Sequence, residues 1–72
     1  MNHIKITLAD ILQERGISQR ELSRKTGIRH PTINEMCENK TKQIPLQNLA
    51  AICNALDVDI TDILKLVKEP SE

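Results

Sequence analysis

The stretch Gly16-Ile17-Ser18-Gln19-Arg20-Glu21-Leu22-Ser23-Arg24-Lys25-Thr26-Gly27-Ile28-Arg29-His30-Pro31-Thr32-Ile33-Asn34 decides how this chain folds. Ser18 and Glu21 stand at capping-box spacing, where the hydroxyl accepts from the backbone N–H of Glu21 and the carboxylate reaches back to that of Ser18. A helix therefore opens at Ser18, and Thr26-Gly27 closes it. Gly27 suits a turn whose backbone a β-carbon would oppose. Pro31 then belongs in the first turn of a following helix over about 30–38, where its missing N–H costs nothing. Ile17 and Leu22 face inward on the first of these helices and Ile33, Met36 and Cys37 on the second. Ile28 plugs the gap beneath the turn, and Ser23 is small where the two helices approach.

Outward from this pair the same signals place three more helices. Leu8, Ile11 and Leu12 recur at i, i+3, i+4 in a helix over about 7–15, with Thr7 as its cap, Asp10 favourable to the dipole of its first turn and Gly16 just beyond its end. Asn39 is a residue able to take the left-handed conformation that ends the helix over 30–38. After the loop over 40–44, Pro45 opens a fourth helix bearing the stripe Leu49, Ile52, Cys53 and Leu56. Asp59 caps a fifth, containing Ile60, Ile63, Leu64 and Val67. The expected architecture is all-α, a compact five-helix bundle. One domain spans 1–72, with its core at about 7–68 and a short frayed tail over 69–72.

Composition agrees. A chain of 72 residues buries only about 60% of the surface it exposes when unfolded, so its core must be economical. Phe, Tyr and Trp are absent, leaving aliphatic side chains and cysteine to fill the interior. Only two valines and no Asn-Gly or Asp-Gly hairpin signal argue against a strand-built sandwich or barrel. Cys37 and Cys53, with His3 and His30, match no zinc spacing, so neither a metal nor a cofactor is expected. Cys53 reads as a small core hydrophobe and both thiols as reduced, with a redox role for Cys37 as the alternative to be weighed. No signal-peptide pattern opens the sequence and no apolar run approaches the ~20 residues that span a bilayer, so a cytoplasmic protein without membrane contact is expected. No nucleophile–base pair, phosphate loop or paired carboxylates stands out, and so short a chain has little room for a closed pocket. An enzyme is disfavoured, and no small-molecule ligand is evident.

Formal net charge is zero, but the charges are segregated. Seven basic residues face three acidic ones over 15–42, whereas two face five over 43–72. The middle of the chain could meet an anion; the end could not.

Two short helices joined by a turn of about four residues, Thr26-Gly27-Ile28-Arg29, form a helix-turn-helix arrangement. The segment from Gly16 to Asn34 resembles the Cro and phage-repressor helix-turn-helix domains, the XRE family. Pro45-Leu46-Gln47-Asn48-Leu49-Ala50-Ala51-Ile52-Cys53-Asn54-Ala55-Leu56-Asp57-Val58-Asp59-Ile60-Thr61-Asp62-Ile63-Leu64 is similar to that family's fourth and fifth helices. The resemblance implies a phage-repressor-type fold that sets its third helix in the major groove of double-stranded DNA, a transcriptional regulator and in particular a repressor. Base reading would then fall to Arg29, His30, Thr32, Asn34 and Glu35. Arg suits guanine O6/N7, Asn suits adenine N6/N7 and Glu accepts from cytosine N4. Family backbone contacts map onto Gln19 and onto Asn39, Lys40, Thr41 and Lys42, with Arg20, Arg24 and Lys25 as further cations. Two positions depart from the pattern: Arg29 stands where a serine often caps the recognition helix, and Pro31 where a polar residue often reads a base. Glu35 and Glu38 also face a polyanion, unless they read cytosines or pair with cations such as Lys42. A homodimer is expected, through exposed apolar residues near Ile60, Leu66 and Val67. The competing reading is a protein-interaction module, such as the antitoxin of a toxin–antitoxin pair, using the apolar and acidic fifth helix.

Overall fold

Both ends of the chain alternate between apolar and polar residues, and in the computed structural model, which describes residues 2–68, they meet as a β-ribbon. The order is β1 (His3–Ile6), α1 (Leu8–Arg15), α2 (Gln19–Thr26), α3 (His30–Cys37), α4 (Leu46–Leu56), α5 (Ile60–Ile63) and β2 (Leu64–Val67). The strands are antiparallel, pairing His3 with Val67, Ile4 with Leu66, Lys5 with Lys65 and Ile6 with Leu64.

The five helices stand where the sequence puts them, but the fold is not strictly all-α. The fifth helix stops after one turn, and Leu64 and Val67, read as its last apolar positions, lie in β2. Thr7 gives the physical reason. Its N–H donates to the Ile63 carbonyl at 2.6 Å and its hydroxyl to the Asp62 carbonyl at 2.7 Å. Those carbonyls would accept from residues 67 and 66 if the helix continued, since helical bonds run from each N–H to the carbonyl four residues back. Thr7 occupies both, and β1 supplies the next residues with an alternative ladder. Thr7 consequently precedes α1 without capping it through its side chain. The tail over 69–72 lies outside the described residues.

Most other end signals operate as read. Gly16 takes φ 66° and closes α1, with its neighbour Ile17 donating to the Leu12 carbonyl at 2.9 Å. Ser18 Oγ accepts from Glu21 N at 3.0 Å, one half of the expected box. The fully reciprocal box forms at α5 instead, where Asp59 N donates to Asp62 Oδ2 at 3.0 Å.

A single aliphatic cluster holds these elements together: Leu8, Ile11 and Leu12 from α1, Leu22 from α2, Ile28 from the turn, Ile33 and Met36 from α3, Ile52 and Leu56 from α4, and Ile6 and Ile63 from the two ends. No polar or charged residue among those described is buried in it. Each fully buried Leu or Ile contributes about 1.5–3 kcal/mol relative to exposure. Ties at the edges supplement it, including the Arg15 guanidinium, which donates to the Leu56 carbonyl and joins the C-terminal ends of α1 and α4. Cys53 is half-buried against this core, as expected of a small hydrophobe.

Candidate nucleic-acid interface

Three residues, Gly27, Ile28 and Arg29, separate α2 from α3, and hydrogen bonds hold them from both sides. Gly27 takes φ 77°, the left-handed region, and donates to the Ser23 carbonyl at 2.9 Å. Thr26 Oγ1 donates back to the Leu22 carbonyl at 2.8 Å and accepts from Ile28 N at 3.2 Å. The Ser23 hydroxyl donates to the Ile28 carbonyl. Size alone marked Ser23 in the sequence; the structure adds a reason for an oxygen there. With Ile28 buried beneath the turn, the angle between α2 and α3 is fixed by packing and hydrogen bonds together.

On α3, Ile33 and Met36 are fully buried, which leaves the remainder of the helix turned towards solvent. Arg29, His30 and Glu35 are exposed, whereas Thr32 and Asn34 are half-buried at the flanks. Arg29 precedes the helix with an extended backbone and no side-chain cap bond, while its carbonyl accepts from Thr32 N at 3.0 Å and Ile33 N at 3.2 Å. Pro31 lies in the first turn, as its missing N–H requires.

Glu38 has its charge matched locally. Its Oε2 lies 3.4 Å from Lys40 Nζ and accepts from Asn34 Nδ2 at 3.4 Å. The cation is thus Lys40 rather than Lys42, and the Asn34 Oδ1 accepts no hydrogen bond among the described residues.

The loop after α3 divides into residues that face outward and residues that build. Asn39 adopts φ 59°, the left-handed conformation expected of it, and Lys40 N donates to the Glu35 carbonyl at 2.9 Å. Its side chain, however, is taken: Oδ1 accepts from Ile6 N at 2.7 Å and Nδ2 donates to the Ile6 carbonyl at 3.0 Å. Asn39 therefore clamps β1 to the end of α3. The Thr41 hydroxyl is buried with no hydrogen-bond partner among the described residues, and so does not face solvent. Lys40 and Lys42 are exposed on either side of it. On α2, Arg20, Arg24 and Lys25 are exposed and Gln19, in the first turn beside Ser18, is half-buried. First-turn amides at that helix start carry partial positive charge outward.

Cys37 is half-buried beside this loop, and its thiol is pushed up from the ordinary range by burial and then by the Glu38 carboxylate. That opposes the thiolate a redox-reactive cysteine requires. Among the described residues, no group of three or more His, Cys, Asp or Glu could hold a metal ion, and no helix is long and apolar enough to cross a membrane.

The family model described as Cro/C1-type HTH DNA-binding domain matches residues 7–69. The chain belongs to the Cro/C1-type HTH DNA-binding domain family. Two solved structures illustrate the likeness. A protein from Bacteroides fragilis described as DNA-binding superposes with a TM-score of 0.77 at 25% identity, covering 88% of this chain and all of its own. The transcriptional regulator VanUg superposes with a TM-score of 0.75 at 26% identity, covering 94% of this chain and 89% of its own. No curated protein matches the sequence. The resemblance read from the residues is thus shown over residues 7–69.

Proposed function

We propose that the protein is a sequence-specific transcriptional regulator, a repressor that acts by occupying its site, and that α2 and α3 form its helix-turn-helix with α3 seated in the major groove. One observation carries this reading: α3 anchors itself by Ile33 and Met36, with Cys37 beside them, and its outward side is covered by no other part of the described chain. Arg29 and His30 at its start, Thr32 and Asn34 at its flanks and Glu35 at its centre are the base-reading set, with donors and acceptors suited to groove edges. Gln19, Arg20, Lys25, Lys40 and Lys42 hold the flanking phosphates, which orients the domain without reading sequence. Asn39 and Thr41, expected among the phosphate contacts, are left out of this set, because the Asn39 amide is engaged with Ile6 and the Thr41 hydroxyl is buried.

The regulator works as a homodimer through the β-ribbon. Ile4 and Leu66 are cross-strand partners on one face and remain 57% and 54% exposed, an apolar pair on a sheet with open edges. Val67, expected in this contact, is half-buried, and Ile60 stands beside Asp57, Asp59 and Asp62. A two-fold dimer would place half-sites about 34 Å apart.

Selection of bound sites from random duplex DNA tests both statements. Recovery of a palindrome supports them, whereas recovery of no sequence over background removes the regulator reading. Ile4→Lys with Leu66→Lys should leave a monomer in sedimentation; an unchanged dimer would place the interface elsewhere.

A further inference from the structure

We infer that the surface between α4 and α5 docks a second protein, through a short segment carrying apolar side chains flanked by lysine or arginine. This surface is separate from the proposed DNA-binding elements. Leu46, Leu49 and Cys53 of α4, with Val58 and Ile60, line an open groove of about 630 Å³. Leu46 is 83% exposed, the most exposed large apolar side chain among the described residues. It begins α4 and contributes nothing to the buried cluster. Exposed aliphatic surface of this kind, rimmed by polar residues, marks interaction sites.

The rim specifies the occupant. Asp57, Asp59 and Asp62 stand around the groove. Asp57 sits in the left-handed conformation at the end of α4, and its carboxylate has no hydrogen-bond or ion-pair partner among the described residues. Asp59 and Asp62 cap α5 but are exposed and make no ion pair among those residues, although Asp62 also borders Arg15 and Lys65 on its other side. Their field reaches the groove floor, where Cys53 is pushed up by burial and then by Asp59 and Asp62. DNA is repelled by such a rim. A second copy docking by its own groove would set the three carboxylates against themselves across the two-fold axis, which disfavours that pairing. A cationic amphipathic segment satisfies both parts of the surface: its apolar side chains cover Leu46 and Ile60, and its cations meet the carboxylates. The groove is open to solvent rather than closed over, which leaves it accessible to such a segment.

The isotope-labelled full chain would be titrated with a synthetic amphipathic helical peptide of leucine and lysine at i, i+4 spacing, and with the same peptide carrying glutamate for lysine. The lysine peptide should give saturable amide shifts confined to the groove, at Leu49, Cys53, Val58 and Ile60. Affinity should fall several-fold as salt rises from about 0.05 to 0.3 M. The double variant Leu46→Ala with Asp57→Asn should weaken it about tenfold, a loss of roughly one anchor and one charge contact. Asparagine tolerates the left-handed conformation and Leu46 is outside the core, so the variant should keep its thermal midpoint and its DNA affinity. Equal binding of the glutamate peptide, shifts centred elsewhere, or no response to the double variant would each overturn the inference. So would loss of a dimer in Leu46→Ala, because the occupant would then be a second copy.

Discussion

Replacing Asn39 separates two contributions that meet in one residue. Its amide makes two hydrogen bonds to the Ile6 backbone, at 2.7 and 3.0 Å, across 33 residues of sequence, while its own backbone holds φ 59°. Each such bond contributes a net of about 0.5–1.5 kcal/mol. Asn39 is exposed, so water recovers part of the loss and the lower half of that range applies, about 1–2 kcal/mol for the pair. Asn39→Gly removes only the amide, because glycine takes positive φ without penalty. Asn39→Ala removes the amide and, with it, the short polar side chain that lets asparagine tolerate the left-handed region, which costs about 1 kcal/mol more. For a domain of this size each kcal/mol lowers Tm by about 4–8 °C. Thermal unfolding followed by circular dichroism should therefore order the proteins wild type, Gly, Ala, with steps of several degrees. Hydrogen exchange adds a local readout, since the Ile6 amide should lose protection in both variants while the α4 amides keep theirs. A glycine variant that melts with wild type and protects Ile6 equally would refute the clamp.

Other consequences follow from the same structure. Gly27→Ala meets no atom within 4 Å of the added β-carbon, so its cost is backbone strain alone, about 1–2 kcal/mol by urea unfolding; a neutral result would show that the turn relaxes. Arg29→Ala should relax base preference at one position by about 1–3 kcal/mol, whereas Lys42→Ala should weaken all sequences alike and flatten the salt slope by about one. Equal loss on every sequence for Arg29→Ala would remove it from the readers. Because burial and Glu38 push the Cys37 thiol up, it stays protonated to higher pH than a free cysteine. Alkylation near neutral pH should be slower at Cys37 than in an unstructured peptide and should rise only in more alkaline buffer; rapid modification at neutral pH would contradict this.

Much of the fold was legible because the helix ends carry local signals. Gly16, Gly27, Pro31 and Asp59 act through neighbours a few residues away and stand as read, as do one half of the Ser18 box and the left-handed backbone of Asn39. The ribbon was not legible for the opposite reason. Leu64 and Val67 continue the i, i+3, i+4 pattern begun at Ile60 and Ile63, while Leu64-Lys65-Leu66 also alternates. The choice is made by Thr7 and β1, over fifty residues distant in sequence. Paired alternation at the two ends, in Ile4/Ile6 and Leu64/Leu66, was the signal available. At the site, residue type placed Arg29, His30 and Lys42 on the surface correctly. It could not distinguish an asparagine that meets solvent from one that bonds to the chain's own N-terminus, nor foresee that Lys40 would answer Glu38.

The proposed regulator depends on the uncovered side of α3 meeting the major groove. Amide shift mapping of the full chain, titrated with a duplex recovered by site selection, tests it most directly. The largest changes are expected at Arg29, His30, Thr32, Asn34 and Glu35, with a second group at Gln19, Lys40 and Lys42. Changes concentrated on α4 and α5, with α3 silent, would contradict it.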